Sequence, residues 1–426
     1  MKRPAYTISL EILIFAGAIW NFIFPVFFNS LGTRGTFTII GFQLVYSFTI
    51  IIVFKLKVPR DISILPYLTY FFYFVISIPF SMTVGVLFGG VQLNIRDFID
   101  LYRPILYFMF FLLTLKLMRS KPEFSKIEKT GFIVFLILVS FGTAQISLPL
   151  DEFFLMYTKK INIYMGRITV PFLNPYDYAF VMTFFVYWFL YKSIYQNFAY
   201  SIFCCIGIIL IILTQSRSVF VGHILSLLFI VPLQVLLPYR AWNKVKYARA
   251  ILLTFLFILL IVCTLYMGLG FINQKAPYLI NSLTKVIEGG GIGTSASLRL
   301  SQFNFAWDKA TGNFFIFLFG NGPSKNELEL VESIYTYMFY RFGLLGALLY
   351  VFLIVYSILS AAKNAFCGTL PSEVKIFSMA SMTFFVLVLI VSIGNNFTEQ
   401  VRISFFFYGL IGLTAGITYL RKQQRL

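Results

Sequence analysis

Residues 332–360 read ESIYTYMFYRFGLLGALLYVFLIVYSILS, and this stretch decides the fold. Past Glu332 it carries a single charge, Arg341, in a run long enough to cross a bilayer as a helix, which takes about 20 apolar residues. Immediately upstream lies a long polar excursion. It contains Glu288-Gly289-Gly290-Gly291, Ser295-Ala296-Ser297-Leu298-Arg299 and Phe319-Gly320-Asn321-Gly322. In a chain that is otherwise soluble in hydrocarbon, a polar excursion between two spans is where chemistry is expected.

Apolar runs of similar length recur outward in both directions. With 59% hydrophobic and 12% charged residues, and a mean hydropathy of +0.86, the chain is not a water-soluble globule. The reading is all-α: one polytopic transmembrane bundle over 1–426, with about twelve spans. They fall near 7–28, 37–54, 65–89, 104–118, 131–149, 175–194, 200–213, 217–237, 250–270, 332–360, 374–394 and 403–420. Residues 271–331 form one large loop between the ninth and tenth spans. Met1-Lys2-Arg3-Pro4 resembles a signal-peptide start, but the apolar run continuing to Phe28 is too long and lacks a small-residue cleavage pattern, so it is expected to remain as the first span.

The net charge of +18 follows topology rather than nucleic acid, which is not an expected partner. One alternating set of connections holds Lys2, Arg3, Lys55, Lys57, Arg60, Arg119, Lys121, Lys126, Lys129, Lys192, Arg240, Lys244, Lys246, Arg249, Lys363, Lys375, Arg421, Lys422 and Arg425. The positive-inside rule assigns that set and both termini to the cytoplasm. The large loop is then extracytoplasmic. Cys204, Cys205, Cys263 and Cys367 lie in or beside apolar runs without metal spacing and read as small buried hydrophobes.

Within the loop, Leu300, Phe303, Trp307 and Ala310 recur at helical spacing, with Ser295 or Ser297 available as a cap. Two placements fit this pattern: a helix on the outer membrane surface, or one packed on the roof of the bundle. The Gly289–Gly293 stretch lacks a following Gly-Lys-Ser/Thr and reads as a hinge, not a phosphate loop.

Arginines at the outer ends of spans carry the functional signal, because a cation at membrane depth costs several kcal/mol unless it pairs or meets water. They are Arg103, Arg167, Arg217, Arg341 and Arg402, joined by Arg299 in the loop. Singly, each reads as a snorkelling anchor or a structural ion pair. Together, on the side where the positive-inside rule disfavours them, they suit a pyrophosphate headgroup. Glu332 opens the tenth span. It is either a carboxylate favoured by the helix dipole or a general base. Arg341 is deep enough to need a partner, and nine residues of helix set it nearly opposite Glu332. Asp97, Asp100, Asp177 and Glu399 are expected to pair with Arg96, Arg103 and Arg402 or to cap helices. His223, the single histidine, reads first as a packed intramembrane side chain and second as catalytic. The Asn396-Phe397-Thr398 sequon match carries no weight.

Several of these segments resemble the O-antigen polymerase (Wzy) and O-antigen ligase families of bacterial surface-polysaccharide assembly. Leu213-Thr214-Gln215-Ser216-Arg217-Ser218 is similar to their Ser-Arg motif opening a span. Gly166-Arg167 through Asn174-Pro175 is similar to their Arg, Gly and Asn-Pro segment. Leu318-Phe319-Gly320-Asn321-Gly322, Glu332-Ser333 and Arg341-Phe342-Gly343-Leu344-Leu345-Gly346-Ala347 resemble the end of their large loop and the following span. Ligases carry a His-Asn pair near that loop's end. Here Glu332-Ser333 stands in its place and the loop has no histidine, which favours the polymerase.

The resemblance implies a GT-C-like glycosyltransferase in the bacterial inner membrane with a periplasmic large loop. Undecaprenyl-pyrophosphate-linked oligosaccharide would be donor and acceptor, with the lipid bilayer and a chain-length regulator protein as further partners. Arg217 and Glu332 would be catalytic. Arg167, Arg299, Arg341, Arg103 and Arg402 would hold the pyrophosphate, with Arg167, Arg217 and Arg341 as the floor of the site. No cofactor is expected, and arginines in place of a metal clamp predict metal independence. A ligase and a lipid-linked oligosaccharide flippase are the rival readings.

Overall fold

The computed structural model describes residues 5–27, 33–56, 61–119, 124–236, 294–398 and 400–423. The expected ninth span at 250–270, loop residues 271–293, Cys263, Glu399 and the basic residues at 2–3, 57–60, 121, 240–249 and 425 lie outside them. The described residues form helices without a strand. In chain order these are α1 (Ala5–Ile23), α2 (Thr33–Val53), α3 (Leu65–Gly89), α4 (Ile95–Ile99), α5 (Tyr102–Arg119), α6 (Phe124–Ser147), α7 (Asp151–Leu155) and α8 (Lys160–Tyr164). There follow α9 (Pro175–Tyr195), α10 (Tyr200–Leu213), α11 (Arg217–Leu236), α12 (Thr294–Thr311), α13 (Phe314–Phe319), α14 (Ile334–Ala365), α15 (Ser372–Val391) and α16 (Val401–Gln423).

Among the described residues, six segments are long and apolar enough to cross a membrane: α3, α4 with α5, α6, α14, α15 and α16. The long apolar runs form helices because a chain stretch without water partners must satisfy its own N–H and C=O groups. Expected spans 65–89, 175–194 and 200–213 coincide with α3, α9 and α10 to within a residue. Helix α9 is apolar on all sides, and Asp177 through Ile194 are all buried, which makes it the central post of the bundle. It packs on α10 and α15, while α16 lies along α5 and α14 along α15. The α5–α16 approach depends on glycine: a Cβ on Gly412 would sit 2.5 Å from the Phe111 carbonyl oxygen, and one on Gly416 2.4 Å from Met118 Cβ.

Helix α14 is not the uninterrupted span that its sequence predicts. At Gly343 the backbone turns to φ 67° and ψ −169°, a conformation that only glycine tolerates well. Here the chain 318–322 crosses the helix backbone to backbone. The freed carbonyls of Tyr340 and Arg341 accept hydrogen bonds from Asn321 N (2.9 Å) and Gly322 N (3.0 Å). A Cβ on Gly343 would lie 2.3 Å from the Leu318 carbonyl, and one on Gly320 2.4 Å from the Arg341 carbonyl carbon. The excursion is thereby fixed to the bundle by main-chain bonds.

Of the basic residues in the alternating connections, Lys126 pairs with Glu11 (3.0 Å), Lys192 with Glu128 (3.0 Å) and Lys422 with Asp61 (3.6 Å). Of the candidate arginines, Arg103, Arg217 and Arg402 lie in the first turns of α5, α11 and α16.

Candidate active site

Ser333 is the N-cap of α14, accepting from Thr336 N (3.5 Å), and its hydroxyl donates to the Ser392 carbonyl (3.2 Å). Glu332 therefore precedes the cap and is not in the first turn, so the dipole-cap role falls to its neighbour. The Glu332 backbone N–H donates to Gln302 Oε1 (3.1 Å), and Gln302 Nε2 donates to the Leu330 carbonyl (2.8 Å). This buried amide clamps α12 to the start of α14. One turn earlier on α12, Arg299 is thereby set with Nε 2.9 Å from Glu332 Oε2. The pair is half-buried, at 29% and 36% side-chain exposure.

The same corner holds the start of α11. A Cβ on Gly394 would lie 3.8 Å from Arg299 Cζ and 3.3 Å from Ser218 Cβ, and Asn395 Nδ2 donates to Ser218 Oγ at 2.5 Å. Arg217 is the first residue of α11. The turn before it, with Gln215 at φ 57°, rests on the segment carrying Arg167. Ile168 N donates to the Leu213 carbonyl (3.3 Å), and Gln215 Nε2 to the Met165 carbonyl (3.3 Å). Gln145 braces that segment, accepting from Thr169 N (2.9 Å) and Val170 N (3.0 Å) and donating to the Arg167 carbonyl (2.9 Å). Arg299 thus pairs with Glu332 beside the segment that carries Ser218 and Arg217, and the turn before Arg217 is bonded to the segment that carries Arg167.

Arg103 and Arg341 belong to a neighbouring group beyond the 329–332 segment. Asp100 stands at its centre: Arg103 Nε lies 3.1 Å and Lys325 Nζ 2.9 Å from Oδ1, and Arg341 Nη1 lies 3.1 Å from Oδ2. Arg341 is fully buried, stacks 4.4 Å over the Tyr337 ring and donates to the Glu329 carbonyl (3.4 Å). Asp97 caps α4 through Asn94 N (2.7 Å) and accepts from Lys325 N (3.0 Å). Burial holds the Lys325 ammonium below the ordinary lysine pKa despite the carboxylate of Asp100 beside it. A cavity of about 30 Å³ adjoins this group, lined by Arg103, Tyr107, Tyr337, Thr398 and Tyr408 among others.

Arg402 stands in a third place, buried, donating to the carbonyls of Pro171 and Phe24 with its guanidinium 5.9 Å from the centre of the Tyr157 ring. It ties α16 to the end of α1. Of the expected floor of Arg167, Arg217 and Arg341, Arg341 is engaged by Asp100. Of the expected carboxylate pairings, Asp100–Arg103 forms, Arg96 pairs with Glu329 (3.1 Å), and Asp177 accepts from Asn174 Nδ2 (3.2 Å).

His223 is buried and stacked on Tyr187 with ring centroids 5.0 Å apart. Asn396, Phe397 and Thr398 are buried too. Cys204 and Cys367 are buried, as expected, whereas Cys205 is only half-buried. Among the described residues no three His, Cys, Asp or Glu side chains gather as metal ligands would.

Sequence reasoning missed Lys325, Gln302 and Gln145. Each acts through a partner far along the chain, and only the capping pattern around Asn94 and Asp97 has a local signature. Compared with known proteins, the chain matches no family model and no curated protein.

Proposed function

We propose that the chain is a surface-polysaccharide polymerase. In this reading it is a glycosyltransferase joining undecaprenyl-pyrophosphate-linked oligosaccharide repeat units at the periplasmic face of the inner membrane, without nucleotide sugar or metal. The observation that supports it is the half-buried Arg299–Glu332 pair, with Arg299 and Ser218, the neighbour of Arg217 at the start of α11, both close to Gly394.

Glu332 accepts the proton of the acceptor hydroxyl, whose oxygen attacks the anomeric carbon of the donor. The bond from that carbon to the pyrophosphate oxygen breaks, and the lipid pyrophosphate leaves with the electron pair. Arg217, Arg299 and Arg167 face the charge that develops there; one preorganised donor of this kind is worth about 3 kcal/mol in the transition state. Arg103 and Arg341, held by Asp100, and Arg402, held by carbonyls, fix the framework around the corner.

The test is Arg217→Ala in cells that display the polymer. The expected result is loss of long chains with the protein still in the membrane and single repeat units still attached to the lipid core. Near-normal chain length contradicts the charge clamp. Disappearance of the single units as well points to a ligase.

A further inference from the structure

The apolar row expected on α12 divides: Ala310 is buried against α14 and Trp307 stacks on Phe339 (centroids 5.9 Å), while Leu300 and Phe303 are exposed. Ala306 and Ala310 are buried against Phe339 and Tyr340, and Gln302 is buried with them. Leu300, Phe303 and Trp307 stay 52%, 42% and 46% exposed, and Ser301, Asn304 and Asp308 are exposed as well. At about 100° per residue these positions form three sectors. The buried sector lies opposite Ser301, Asn304 and Asp308, and the apolar row sits about 90° from each. A helix lying on a roof in water has no use for that third sector. A helix bound side-on to a protein at a membrane interface has one.

The row also has a physical continuation. In α13, Phe314 is 70% exposed, while Phe315 stacks on Phe88 (centroids 5.0 Å, 18°) and Phe319 meets Phe80 edge-on (4.9 Å). Phe80 and Phe88 belong to α3, one of the helices fit to cross a membrane, whose outer face exposes Phe72, Ile76 and Leu87. The outward face of such a helix is covered by acyl chains. We propose that α12 and α13 are an interfacial membrane-binding element. Leu300, Phe303, Trp307 and Phe314 extend the lipid-facing surface of α3, and Ser301, Asn304 and Asp308 face water. The occupant of the row is bilayer lipid, and the inference is independent of the polymerase reading.

Photo-crosslinking tests it with the unaltered full-length protein. It is reconstituted in vesicles of phosphatidylethanolamine and phosphatidylglycerol that carry an acyl-chain diazirine close to the glycerol, and adducts are mapped by mass spectrometry. Leu87 on α3 is the internal standard. Adducts at Leu300, Phe303, Trp307 and Phe314 are expected in yields comparable to Leu87 and several-fold above Ser301 and Asp308. Labelled Leu87 with a bare 298–314 segment overturns the proposal, because protein or water then covers the row. Equal labelling around the whole of α12 overturns it as well. A Phe303→Asp, Trp307→Asp double variant should lower adducts on this segment several-fold while leaving those at Leu87 unchanged.

Discussion

Asp100→Asn should destabilise the protein far more than Arg341→Met, although the two side chains form one ion pair. The asymmetry comes from the arrangement: one carboxylate serves three cations, Arg341 with no exposure and Arg103 and Lys325 at 15% and 16%. Removing the carboxylate's charge weakens the ion pairs of all three at once in a poorly hydrated place, and breaking a buried pair from one side costs about 3–5 kcal/mol. Removing Arg341 leaves Asp100 with Arg103 at 3.1 Å and Lys325 at 2.9 Å, so its charge stays balanced. What goes is the bond to the Glu329 carbonyl and the stacking on Tyr337, about 1–2 kcal/mol together, with methionine filling much of the volume. Equilibrium unfolding in mixed micelles titrated with SDS, followed by tryptophan fluorescence, should separate the variants by about 2 kcal/mol. Equal losses, or a larger loss for Arg341→Met, would refute the three-on-one balance and return Arg341 to the role of a ligand-facing cation.

Other consequences can be read the same way. Glu332→Gln should abolish chain extension with little change in stability, since an exposed ion pair is worth about 0–1 kcal/mol; unaltered extension removes Glu332 from the chemistry. Gly343→Ala combines a positive φ with a Cβ 2.3 Å from the Leu318 carbonyl and should cost more than about 3 kcal/mol, so a stable, well-expressed variant contradicts the crossing. Arg402→Met should cost about 2–4 kcal/mol through its lost bonds to the Pro171 and Phe24 carbonyls, seen as earlier unfolding and faster proteolysis near residues 24 and 171.

The helical bundle was legible because apolar runs in a bilayer have one way to satisfy their backbone, and α3, α9 and α10 fall where hydropathy puts them. The break at Gly343 was not. Arg341-Phe342-Gly343 inside an apolar run looks like any continuous span, and its cause is the chain at 318–322, a contact that no local pattern encodes. For the site, the sequence offered a set of arginines and Glu332, and the structure pairs one of them, Arg299, with that carboxylate. Their sorting into an Arg299–Glu332 pair, an Asp100-centred group and a carbonyl-bound Arg402 depends on Gln302, Lys325 and Pro171, whose partners Glu332, Asp100 and Arg402 are distant in sequence. The amphipathic spacing on α12 announced an apolar row but left its direction open, because the fully buried contact with α14 is made by the small Ala306 and Ala310, while Phe305 and Trp307 meet Tyr340 and Phe339 from its edges.

Extension of a purified undecaprenyl-pyrophosphate-linked repeat unit by the purified protein, in the presence of chelator and with Arg217→Ala alongside, tests the central claim most directly. A ladder of longer lipid-linked chains from the wild type and none from the variant is the predicted result. Unextended substrate with correctly folded wild-type protein, or a ladder that vanishes only when chelator is added, would contradict it.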